Sequence, residues 1–175
     1  MNLDLRRYLN YFILLILLLA LAVLWNKAFG QNQQCVVKTY TAEIGVRELS
    51  GHNDGAAVEK YLSSVGLPKG YSWCAAFVAY CFSECGITTV NSAWSPTWFP
   101  DDQLTDQPAA GNVFGIYFPN KRRIAHVGFI DSWDMNESYT QTVEGNTNQV
   151  GSREGDGVYR KFRLKNQIYK ISKWH

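Results

Sequence analysis

The chain passes through three patterns of apolar and polar positions. Residues 11–25 read YFILLILLLALAVLW, an apolar run with no polar face. From about residue 36 to Gly86 the spacing is helical. Cys74, Phe77, Val78, Cys81 and Cys85 fall at i, i+3, i+4, i+7 and i+11, one continuous face that predicts a helix over 73–85. Gly86 is its stop. Weaker signals predict helices over 42–49, ended by Ser50-Gly51, and over 58–65, ended by Gly66 with Pro68 beyond. Residues 52–55 read as a turn. Residues 91–111 contain Pro96, Pro100 and Pro108 and are expected to be irregular. Thereafter β-branched and aromatic residues predict strands over 113–118, 126–131, 139–144, 158–163 and 168–171, separated by polar and glycine turns. Helices followed by strands with short connections mean an α+β fold with an antiparallel sheet. No internal repeat is present.

The apolar run follows Arg6 and Arg7. From Tyr8 to Trp25 the uncharged stretch is 18 residues, between a signal-peptide core and a spanning helix in length. Ala28 and Gly30 are small residues one apart, which favours cleavage after Gly30; an uncleaved anchor is the alternative. Either way the basic end stays in the cytoplasm and the remainder is expected outside it, secreted, periplasmic or held at the inner membrane. Residues 1–30 are thus read as a signal peptide or N-terminal membrane anchor, 31–40 as a polar linker and 41–175 as the folded domain.

Length and charge narrow the class. The 175 residues allow one domain plus an extension. The formal net charge of +2 comes from residues 1–30, which leaves 14 basic and 14 acidic side chains in the rest. A balanced domain has no bulk attraction for nucleic acid, so no nucleic-acid partner is expected. Six Trp, ten Tyr and nine Phe exclude a disordered tail. A monomer is expected.

Candidate chemistry centres on Cys74, at the start of the clearest helix. Free N–H groups and the positive dipole end there favour a thiolate and can hold an oxyanion. A cysteine on an apolar helix face is also ordinary core. Of three histidines, His175 is expected to fray and His52 to sit solvated in its turn. His126 opens a strong strand and can accept a thiol proton and later protonate a leaving amine. Glu144 and Asn146 end the next strand, and either can orient the imidazole.

The ordered set resembles the CHAP domains, cysteine- and histidine-dependent amidohydrolases and peptidases of the papain-like clan related to NlpC-type cell-wall hydrolases. The resemblance runs through Ile44-Gly45-Val46-Arg47-Glu48, Asn53-Asp54-Gly55, Trp73-Cys74-Ala75-Ala76-Phe77-Val78, Ala125-His126-Val127-Gly128, Glu144-Gly145-Asn146 and residues 151–159. It implies a papain-like α+β fold with N-terminal helices packed on the sheet. It also implies Cys74 as nucleophile, His126 as base and then acid, and Glu144 or Asn146 behind it. Many members carry Gln where this chain has Trp73. Some hold calcium on aspartates before the cysteine, but residues 60–73 contain no acidic side chain, so no metal and no cofactor are expected.

The resulting expectation is an exported cysteine amidase or endopeptidase acting on peptidoglycan stem or cross-bridge peptides. Glu144 is favoured as the orienter, with Asn146 as a supporting contact near the nucleophile. Acyl transfer on the same fold and a non-catalytic cell-wall binding module are the alternatives. Cys81 and Cys85 are read as packing residues, with a bridge from Cys35 as the minority reading. Trp94, Trp98 and Phe99 are read either as a groove wall or as a lid over the core.

Overall fold

The computed structural model describes residues 3–149 and 155–175, and the side chains of 3–9 and 22–29 lie outside that description. The chain divides into two compact units, residues 1–32 and 33–175. The first is helical, and its side chains from Tyr11 to Leu21 are exposed. The apolar run expected to direct export lies partly outside the described side chains. Among the described residues no helix is long and apolar enough to cross a membrane.

The second unit is α+β. Helix α1 (Leu3–Ala42) ends within it, followed by α2 (Ala56–Ser64) and α3 (Cys74–Glu84). The five strands are β1 (Val113–Phe118), β2 (Arg123–Ser132), β3 (Tyr139–Thr147), β4 (Gly157–Leu164) and β5 (Lys170–Ser172). They form one antiparallel sheet in the order β4-β3-β2-β1-β5. Residues 91–111 contain only two short 3-10 turns, Ser95–Trp98 and Asp101–Gln103.

Helix α3 is the centre of the core. Every residue from Cys74 to Phe82 is buried, so the helix is apolar all round rather than on one stripe. Phe77 and Phe82 pack on Phe129 of β2, and Phe82 stacks on Trp98. Trp98 and Phe99 are therefore buried against the core, whereas Trp94 remains half-exposed.

Three local expectations are corrected. Residues 31–40 are not a linker: they are helical, and Val36 and Tyr40, one turn apart, are fully buried. Tyr40 stacks on Phe129 and donates a 3.0 Å hydrogen bond to Asp131. The abundance of Gln and Asn hid an apolar stripe two residues wide. Residues 42–49 do not form a helix of their own, because Gly45 sits at φ 100°, outside helical space. Ala42 ends α1, a turn follows and Arg47 makes an isolated bridge to Gly157. His175 is not frayed but buried, its ring beside Gly111.

Cys35 and Cys85 form a disulfide across 50 residues, which ties the end of α1 to the residue that closes α3. The minority reading of the cysteines thus applies to Cys35 and Cys85. Cys74 and Cys81 are free and buried.

Candidate active site

Helix α3 begins at Cys74, with Trp73 in the preceding capping position and no side chain capping the turn. Its first backbone N–H groups are therefore left without intrahelical partners. Burial pushes the Cys74 thiol up, but the His126 ring, the Ser95 hydroxyl and the Val127 backbone N–H outweigh it and hold the thiol below its ordinary value. The Ser95 Oγ is 3.8 Å from the Cys74 Sγ. In contrast, burial among apolar and acidic neighbours pushes Cys81 well up, so it is inert.

His126 lies near the start of β2, opposite Ile116 of β1, and is 1% exposed. Its Nε2 is 2.8 Å from Glu144 Oε2. That contact leaves Nδ1, which has no other hydrogen bond, as the nitrogen available to the sulfur. Burial would lower the imidazole, but Cys74 and Glu144 favour its charged form and hold it at about 9. Each group therefore favours the charged form of the other, the thiolate and the imidazolium.

Glu144 is fully buried and receives four hydrogen bonds. Thr142 Oγ1 donates to Oε1 at 2.6 Å, and His126 donates to Oε2. Arg163 of β4 donates from Nε to Oε1 at 2.7 Å and from Nη2 to Oε2 at 2.5 Å. Burial would raise the carboxyl, yet Arg163 and His126 keep it far below the usual carboxylate range. Gly128 makes this approach possible: a Cβ there would meet Glu144 Cγ at 2.9 Å and Val143 O at 2.8 Å. His126, Glu144 and Arg163 thus form a hydrogen-bonded row that leads back to Cys74. Arg163 was legible only as a strand residue, because its pairing with Glu144 depends on the β3–β4 register.

Asn146 does not join this row. A bulge after Glu144 places it at φ 53°, a left-handed conformation that asparagine tolerates. Its Nδ2 donates to Asn53 Oδ1 at 2.9 Å and to Gly155 O at 3.3 Å. It also lies 3.5 Å from Glu48 Oε1, so it braces the loop ahead of α2 and reaches the residue before Cys74 only through Glu48. Glu48, on that loop, accepts from the indole of Trp73. Gly145, between Glu144 and Asn146, permits close packing, since a Cβ there would meet Trp73 at 2.7 Å and Phe77 at 2.9 Å. Residues 151–154, part of the stretch quoted for the resemblance, lie outside the described residues. Among the described residues no group of His, Cys, Asp and Glu is placed to hold a metal ion.

Residues 66–146 match the family model of the CHAP domain. This segment is similar to the CHAP domain. It contains Cys74, His126 and Glu144, while Arg163 lies beyond the match. The P60 domain of the M. avium paratuberculosis antigen MAP1272c has a similar fold, with a TM-score of 0.52 at 12% identity over 86% of this chain and 98% of that one. The P60 domain of antigen MAP1204 from M. avium subspecies paratuberculosis gives 0.49 at 14% identity, over 83% and 96%. A histidine-mutated form of the Resuscitation Promoting Factor Interacting protein RipA gives 0.49 at 18% identity, over 82% of this chain. The match spans 62% of the RipA chain. No curated protein matches this sequence. The fold around the CHAP segment is papain-like, with the helices packed on one antiparallel sheet.

Proposed function

We propose that this chain is a cysteine amidase or endopeptidase that hydrolyses amide bonds in peptidoglycan. The observation that carries the reading is the buried row Cys74–His126–Glu144 inside the CHAP segment, with the thiol lowered and the imidazole raised. The Cys74 thiolate attacks the carbonyl carbon, and the free N–H groups at the start of α3 receive the developing oxyanion. As the C–N bond breaks, His126 gives its proton to the departing amine. Water then attacks the thioester; His126 takes a proton from it, and the acid product leaves with the thiolate restored. Glu144 fixes the ring and stabilises its charge, and Arg163 holds Glu144.

We further propose that the domain works outside the cytoplasm. The apolar residues 8–25 behind Arg6 and Arg7 support export. The Cys35–Cys85 disulfide supports an oxidising compartment independently. A mature chain starting at Gln31 marks a removed signal, and a full-length membrane species marks an anchor. The activity is tested by mass analysis of products released from purified peptidoglycan by the wild-type and Cys74→Ser proteins. New amine and carboxyl ends are expected only with the wild type. Equal release by both would overturn the assignment.

A further inference from the structure

The β1–β2 connection carries Lys121, Arg122 and Arg123 in succession, just ahead of the strand segment that holds His126. Among the described residues none of these three pairs with a carboxylate, whereas Lys60, Arg160 and Arg163 each do. Arg123 is nevertheless held in place. Its Nη1 donates to Ile124 O at 3.0 Å, and its guanidinium carbon lies 4.0 Å from the centroid of the Trp94 ring. Trp94 is half-exposed and directly precedes Ser95, whose hydroxyl touches the Cys74 sulfur. A fixed guanidinium, with no carboxylate partner among the described residues, therefore stacks on the residue next to the Ser95–Cys74 contact.

Stacking occupies the face of a guanidinium and leaves its in-plane N–H groups free. That planar edge matches a carboxylate in a way that an ammonium does not. The domain as a whole is balanced in charge, so the positive potential of the three hairpin residues is local. We propose that Arg123, stacked on Trp94, binds a carboxylate that an acidic peptide substrate carries beside the scissile amide. Lys121 and Arg122 raise the local potential that draws the peptide in. This rests on the peptidoglycan reading, whose stem peptides carry such carboxylates, and it names the chemistry that the site selects: free acid over amide.

The test uses the full-length Cys74→Ala protein in detergent, titrated calorimetrically with a synthetic stem peptide and with the same peptide amidated at its side-chain and α-carboxyl groups. The free acid is expected to bind about tenfold tighter. Arg123→Gln in that background should bring the two affinities within about twofold, and Arg123→Lys should retain part of the preference. Equal binding of the two peptides, or a preference that survives Arg123→Gln, would overturn the carboxylate site. Turnover of the same peptides by the protein with Cys74 intact is read separately. No cleavage of either peptide, with the binding preference intact, would remove the hydrolase reading and support the site.

Discussion

The Glu48 carboxylate accepts the indole N–H of Trp73 at 2.8 Å through one oxygen and the backbone N–H of Asn53 at 2.9 Å through the other. Trp73 is fully buried and immediately precedes Cys74. Glu48 therefore governs the angle at which the chain enters α3, and with it the direction of the sulfur. It touches no reacting atom, so it is a positioning residue.

Glu48→Ala leaves a buried indole N–H unpaired and frees the turn before the nucleophile. The expected outcome is a loss of about tenfold in kcat with KM nearly unchanged, because orientation is lost and binding is not. Glu48→Gln keeps an oxygen for the indole and should recover most of the rate. Steady-state kinetics on one defined muropeptide provide the check. An equal loss from both variants would point to the charge of Glu48 instead.

The pH profile follows from the pair. The thiol is held below its ordinary value and the imidazole is held at about 9, which favours the thiolate–imidazolium form between the two. On the acid side kcat/KM should fall as the Cys74 thiolate gains a proton. On the alkaline side it should fall near pH 9 as His126 loses the proton that the leaving amine needs. Glu144→Gln removes the charge that helps raise His126, so its alkaline limb should move toward lower pH. It should also cut kcat/KM by about a hundredfold. An unmoved limb would show that Glu144 does not set the imidazole.

Arg163 is the counter-charge for a carboxylate with no access to water. Arg163→Ala leaves Glu144 charged and unpaired except by His126 and Thr142, and the expected cost is about 3 kcal/mol of stability. Arg163→Lys returns the charge without the two-pronged geometry and should fall between. Urea unfolding of the three proteins measures this. A Glu144→Gln/Arg163→Met double variant closer to wild type in stability than Arg163→Ala would identify the unpaired charge, not lost packing, as the cause.

The Cys35–Cys85 bridge closes a 50-residue loop, for which the chain-entropy account gives about 4 kcal/mol. Cys35→Ser should lower the melting temperature by roughly 10 °C. A reductant should lower the wild type by a similar amount and leave the variant unchanged. A wild-type melt insensitive to reductant would show that the bridge adds nothing to stability.

What the sequence revealed depended on range. The α3 face was legible because Cys74, Phe77, Val78 and Cys81 repeat at helical spacing within one segment. The five strands were legible from local composition, although β2 starts at Arg123, ahead of the expected 126, and β3 runs on to Thr147. Order along the chain also allowed Cys74, His126 and Glu144 to be picked out together. Arg163 was invisible as a partner because strand register, not spacing, brings it to Glu144. The same holds for Cys35 with Cys85, whose pairing follows from where α1 docks. The contacts of Asn146 with Asn53 and Glu48 were not legible, because a bulge that no local pattern announced sets its direction.

The disulfide also changes what a cut in the backbone means. Its loop encloses α2, the whole of α3 and the exposed turn at residues 50–52. Leu49, beside that turn, is 83% exposed, which makes this stretch an open substrate for a protease. A single nick there leaves two polypeptides still joined as one molecule, and the nucleophile stays on the piece that carries the whole sheet. Damage at this turn would therefore pass unnoticed on a non-reducing gel and show as two bands only after reduction.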